Sequence, residues 1–141
     1  RLVGEAMCPV ASPAYLAAKE PLESPADLRR HVVIYLHDPQ GRWPWMAWAA
    51  WLEANGVTDF VPGGTHTFDQ YDQVINAALH GQGVALGRLS ILESHLRDGR
   101  LVPLFGKRTQ VPRALYAIFA PGAGDRPEAQ AFVAWLRSEI G

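Results

Sequence analysis

The 141-residue sequence predicts an α/β fold, a sheet flanked by helices on both sides. Three observations carry that prediction. Apolar runs that read as strands alternate with stretches of helical periodicity. The segment Asp69–Arg88, DQYDQVINAALHGQGVALGR, joins an amphipathic helix, a glycine stop and an uncharged strand in immediate succession. Ser-Pro pairs and single glycines stand where helices need caps and stops.

Leu2 to Ala11 reads as a strand, and Ser12-Pro13 supplies a cap followed by proline at the first helical position. The device recurs at Ser24-Pro25 with Asp27 three residues after the cap, so Ala26 to Arg30 is expected to make one or two helical turns. His31 to Leu36, HVVIYL, reads as a buried strand and His37 to Gly41 as a polar turn. From Pro44, PWMAWAAWLEANG is expected to be one helix, with Trp45, Trp48, Ala49 and Leu52 on a stripe and Gly56 past its end. Four of the five tryptophans lie between positions 43 and 51, a spacing that assigns the cluster to packing. Trp43, in the turn before the helix, is the member expected to face a cleft.

Thr65 to Phe68 reads as a short strand, and Thr67 with Gln70 as a capping box. The helix that follows carries Tyr71, Val74, Ile75, Ala78 and Leu79 on one stripe, Gly81 ends it, and Val84 to Gly87 reads as a buried strand. Ser90 and Glu93 offer a second capping box, with Leu89, Leu92 and Leu96 at helical spacing and Gly99 as the stop. Leu101–Phe105 and Ala114–Ala120 read as strands, and Pro127 to Glu139 as a last helix with Ala129, Phe132, Val133, Leu136 and Ile140 on one face. The polar stretch Lys107 to Arg113 is the one organisational boundary expected, and the chain contains no internal repeat.

Composition narrows the function classes. Thirteen basic and fourteen acidic residues leave a formal charge of −1, so the segment has no electrostatic footprint for a phosphate backbone. The single Cys8 cannot form an internal disulfide and reads as a buried small hydrophobe, which places the chain in a reducing compartment, the cytoplasm by default. No apolar run approaches the roughly 18 residues of a membrane span. A start at Arg1 inside a strand, with no initiator methionine, reads as a piece of a longer protein.

Chemistry is sparse. Gly81, Gly83 and Gly87 miss the dinucleotide fingerprint by one residue and precede a strand instead of opening a helix. Neither a G-x-S-x-G elbow nor a Cys/His signature is present, and His66 with Asp69 lacks a third metal ligand, so neither metal nor cofactor is expected. His31, His80 and His95 sit beside helix ends and read as solvated or capping, and His37-Asp38 as neighbours in sequence that do not face each other. Arg88 differs, since it ends an uncharged strand where ligands of open α/β sheets bind, and a guanidinium there suits an organic anion. A solvated arginine opening the next helix is the competing assignment. Thr67, Phe68 and Asp69 occupy the corresponding strand-to-helix junction one unit earlier, where structural capping competes with ligand contact.

The ordered series CPVASPAYLA, DLRRHVVIYL, a Trp-bearing helix ending in NG, FDQYDQVINAALHGQGVALGR, LRDGRLVPLFG, ALYAIFAP and EAQAFVAWLRSEIG resembles the regulatory domain of LysR-type transcriptional regulators. It looks most like the glycine-cleavage-activator branch. The resemblance runs over essentially the whole chain and implies two α/β lobes joined by two crossing strands, similar to type 2 periplasmic binding proteins, with a small-molecule effector between them. By that comparison residues 1–107 are the second lobe, and residues 108–141 are a crossover strand and C-terminal helix belonging to an incomplete first lobe. The start of the first lobe, the winged helix-turn-helix and the linker helix would lie outside this chain.

The resemblance places effector contacts near Thr67, Phe68 and Asp69, and near Arg88. It implies a sensory module without chemistry of its own: a small-molecule effector such as a carboxylate or amino acid, a homo-oligomer, DNA contact only through the absent N-terminal domain, and no membrane. Lacking its usual partner strands, the last helix is expected to pack on its own lobe, pair with another chain or exchange between protomers. A transport-type solute-binding protein and an α/β enzyme fragment are the alternative classes.

Overall fold

The computed structural model describes residues 1–106 and 109–140. Among these residues six strands form one mixed sheet: β1 (Val3–Ala11), β2 (Val32–Leu36), β3 (Gly64–Phe68), β4 (Val84–Arg88), β5 (Val102–Pro103) and β6 (Thr109–Leu115). Their order is β3-β2-β4-β1-β5, with β6 also on β1. β2 runs parallel to β3 and β4, whereas β1 is antiparallel to all of its partners. One edge of β1 pairs Met7–Val10 with β4. Its other edge holds β6 along Val3–Met7 and β5 at Val10 and Ala11, with a register shift between Gly4 and Glu5.

Five helices flank the sheet, α1 (Pro13–Ala18), α2 (Trp48–Ala54), α3 (Tyr71–Leu79), α4 (Leu89–Arg97) and α5 (Pro127–Ile140), with 3₁₀ turns at Pro25–Arg30 and Pro44–Met46. Because side chains alternate across a strand, the sheet feeds two cores. Met7, Ala11, Val33, Val84 and Leu86 pack with Leu28 and with Trp48, Trp51 and Leu52 of α2. Val10, Ile34 and Ala85 pack on the opposite face against Val74, Ile75 and Ala78 of α3, and Leu92 of α4. Helices on both sides are therefore what the alternation of strand and helix requires, as expected from the sequence.

Local signals in the sequence fix several junctions. Ser12 Oγ accepts from Tyr15 N at 3.2 Å with Pro13 opening α1, and Asp27 accepts from the Ser24 amide at 2.9 Å. Gly81 adopts φ +73° at the end of α3, and at Gly83 a Cβ would stand 2.7 Å from the carbonyl oxygen of Val32. The two glycines therefore shape the return into β4.

Other junctions depart from the sequence reading. The helix expected from Pro44 is broken at Ala47, whose ψ of 136° separates the 3₁₀ turn from α2. As a result Trp51 is buried and Ala49 exposed, against the expected stripe, while Trp48 and Leu52 of that stripe are buried as expected. Thr67 with Gln70 makes no capping box, because α3 begins only after Gln70 and carries no side-chain cap bond. Ser90 does not cap α4, which starts at Leu89 while the serine bonds to Glu5. The strand expected over Leu101–Phe105 shrinks to Val102–Pro103, and the one expected at Ala114–Ala120 lies earlier, at Thr109–Leu115. The expected boundary between residues 107 and 108 lies outside the described residues.

On α5, Val133 is buried, and Ile140 shares a recess with Val3, Leu89 and Gln110. Arg137 donates to Arg1 O at 3.4 Å, so the end of the helix folds back on its own sheet. Phe132 and Trp135 stack at 5.7 Å and stay more than half exposed, as does Ile118 at 92%. The tail is thus covered on one side only.

His31 is buried at 2% exposure and caps the 3₁₀ turn at Pro25–Arg30, its backbone N–H donating to Leu28 O at 3.1 Å, so of the solvated and capping roles its sequence position suggested the capping one holds. Val32 N donates to the Tyr15 hydroxyl oxygen at 3.1 Å, and that oxygen lies 3.0 Å from His31 Nδ1. With its oxygen accepting from Val32, the hydroxyl keeps its own proton to donate to Nδ1 of a neutral ring. Burial, reinforced by the charge of Arg30, holds His31 below the usual histidine range. The unfolded chain therefore takes up this proton more readily, and His31 costs stability as pH falls through the unfolded value near 6.5.

Thermal melts should show a lower Tm at pH 5.5 than at pH 7.5, and His31→Gln should flatten that dependence. An equal pH dependence in the variant would assign the effect elsewhere. Gly83→Ala, which pushes a methyl into the Val32 carbonyl, should cost about 1–3 kcal/mol in urea unfolding.

Candidate functional site

The parallel strands β2, β3 and β4 end side by side at Leu36, Phe68 and Arg88, the carboxyl edge where open α/β sheets form crevices. A cavity of about 250 Å³ opens there, lined by Leu36, Trp43, Trp45, Met46, Asp69, Gln70, Tyr71 and Arg88. Three aromatic rings make its walls. One guanidinium and one carboxylate are the charges that line it.

Each wall is held by backbone. Asp38, in the turn after β2, accepts from Arg42 N at 3.0 Å and Trp43 N at 2.7 Å, and these bonds hold its carboxyl below the usual carboxylate range. That turn delivers Trp43 to the rim, where the Arg42 guanidinium lies 4.6 Å from the ring centre. Trp45 is positioned by the break at Ala47, which lets the turn bearing Trp45 face the cavity while Trp48 in α2 bonds through Nε1 to Ile34 O at 2.8 Å. At the first turn of α3, the Tyr71 hydroxyl accepts from Arg88 N at 2.7 Å and donates to Leu86 O at 3.4 Å. Burial pushes this phenol well above its ordinary pKa, so it remains a hydroxyl.

Arg88 is neither solvated nor an open cation. Its Nε and one Nη donate to Glu5 Oε2 at 3.0 and 2.9 Å, and its guanidinium carbon lies 5.2 Å from the Trp45 ring centre and 6.0 Å from that of Tyr71. Glu5, in β1, is 3% exposed, and its carboxylate also accepts from Ser90 Oγ at 2.6 Å, Ser90 N at 3.3 Å and Ala6 N at 3.1 Å. Arg113 of β6 reaches the same Trp45, 5.9 Å from its centre.

The four residues singled out in the sequence separate here. Asp69 and Arg88 meet across the cavity. Thr67 is exposed on β3 and lines none of the cavities described here. Phe68 packs against the α3 core and lines a separate recess with Gln73, Asn76 and His80. The sequence reading foresaw Trp43 at a cleft but missed Trp45, Met46 and Tyr71. It also missed Glu5, whose partners lie 83 and 85 residues away. Tyr71 was visible only as part of a helical stripe. Among the described residues no cluster of three or more His, Cys, Asp or Glu could hold a metal.

The fold and sequence have clear relatives. The LysR substrate binding domain family matches residues 1–141. The chain is 32% identical over 136 residues to the glycine cleavage system transcriptional activator of Escherichia coli (strain K12), covering 96% of this chain and 43% of that protein. It is 32% identical over 145 residues to the HTH-type transcriptional regulator DsdC of the same strain, covering 99% and 45%. The chain thus spans less than half the length of these relatives. The regulatory domain of AphB from Vibrio vulnificus shares the fold with a TM-score of 0.67 at 19% identity, over 99% of this chain and 67% of that one. The LysR-type regulatory resemblance drawn from the motif series is therefore correct, and this chain belongs to the LysR substrate-binding domain family.

Proposed function

We propose that this chain is the effector-sensing part of a LysR-type transcriptional regulator and that its ligand sits in the cavity between Trp43, Trp45, Tyr71 and Arg88. The observation that carries this reading is the placement of that cavity at the carboxyl ends of three parallel strands, with aromatic walls and convergent polar groups. A volume of about 250 Å³ suits a small organic molecule, and of the carboxylate and amino acid classes expected from the sequence we infer the amino acid. Asp69 and Arg88 contact it directly in this reading, with Thr67 and Phe68 contributing from the end of β3. Binding shifts the regulator between arrangements of its lobes, with no reaction catalysed.

We assign residues 1–107 to one lobe and residues 108–141 to a returning strand and helix of the other, so that residues outside this chain complete the cleft. DNA is bound by a separate domain, in a homo-oligomer in the cytoplasm. In support, none of the described helices is long and apolar enough to cross a membrane. The half-covered face of α5, with Phe132 and Trp135 exposed, fits a lobe or partner packed against it.

The test is a reporter assay on the intact regulator, screened with small carboxylates and amino acids. Trp45→Ala and Arg88→Ala should each raise the effector concentration for half-response at least about tenfold, a loss of roughly 1.4 kcal/mol. Unchanged responses in Trp45→Ala, Asp69→Ala and Arg88→Ala would remove the cavity from consideration.

A further inference from the structure

We infer that Glu5 is a specificity-determining residue: by pairing with Arg88 from behind the cavity, it withholds that cation from simple anions and reserves the site for ligands of no net charge. The inference rests on the cavity being the ligand site. Its basis is the geometry of one guanidinium. The edge of Arg88 formed by Nε and an Nη is already committed to Glu5 Oε2, at 3.0 and 2.9 Å. That edge is one of the two on which a carboxylate forms a bidentate pair, so a ligand can meet only the remaining donors.

Charge points the same way. Glu5 is 3% exposed and Arg88 about one quarter exposed, so solvent screens their pairing weakly. A ligand carboxylate brought to Arg88 would feel Glu5 paired with that cation from behind, and Asp69 is the one carboxylate that lines the cavity with it. Arg42 and Arg113 lie over the Trp43 and Trp45 rings and do not line the cavity. Nor can Glu5 readily turn away, since Ala6 N, Ser90 N and Ser90 Oγ hold its two oxygens. Glu5 touches no ligand in this scheme and acts through the position and charge of Arg88.

Propionate and its neutral isostere propionamide, titrated into the intact protein at constant ionic strength, test this directly. The readout is the ¹⁹F resonance of fluorotryptophan at Trp45, assigned with Trp45→Phe. In the wild type the two probes should bind within about threefold of each other, because Arg88 is neutralised. In Glu5→Gln, propionate should tighten about tenfold while propionamide is unchanged. A purely structural role for Glu5 would weaken both probes together.

A wild type that takes propionate tenfold or more tighter than propionamide overturns the inference and leaves the cavity as the ligand site. That measurement decides the matter even if Glu5→Gln does not fold. A folded Glu5→Gln with an unchanged ratio also overturns it. If neither probe moves the Trp45 resonance in any form, the assignment of the cavity falls together with the inference.

Discussion

A carboxylate buried at 3% exposure has to be matched by donors, and the arrangement around Glu5 follows from that requirement. Five donor contacts converge on it from β1, from the end of β4 and from the start of α4. Arg88 lies opposite Met7 on the adjacent strand and pairs with Glu5 two residues away, and Trp45 and Tyr71 lie near its guanidinium. The same demand takes Ser90 away from capping α4, which therefore begins without a side-chain cap. The register shift of β1 against β6 falls at this residue as well, between Gly4 and Glu5.

β1 is the element that makes this arrangement possible. Its nine residues serve three strands, and its side chains enter both cores, Met7 and Ala11 on one face and Val10 on the other. The cavity is thus connected by short paths to two further strands: Arg88 through Glu5 to β1, and Trp45 through Arg113 to β6. Tyr71 adds a third tie, joining the start of α3 to the end of β4 through its hydroxyl.

Much of the fold was legible in the sequence because its signals are local. Ser12-Pro13, Ser24-Pro25 with Asp27, and Gly81 each act within a few residues, and each fixes the junction it was read to fix. The stripes of α3 and α4 follow from 3.6-residue spacing, and the alternation of strands and helices leads to a sheet covered on both faces. The errors have separate causes. Ala47 breaks an otherwise helical pattern because Trp48 is drawn to Ile34 O and into the core, while Trp45 stays at the cavity. Thr67 and Ser90 have the right residue type for caps, but the first lies ahead of a helix that starts late and the second is claimed by Glu5.

The class of fold and the family are readable from the chain alone, because periodicity, caps and motif order are written in neighbouring residues; the same local signals pointed to the sheet edge near residues 69 and 88 that we propose as the ligand site. Only the tertiary structure decided what Arg88 does there. Its charge is paired with Glu5, 83 residues away, and its surroundings are Trp45 and Tyr71 on separate elements. Electrostatic pairing and aromatic packing act through space over a few ångströms, and that proximity exists only once the antiparallel β1–β4 pairing sets the two strands side by side.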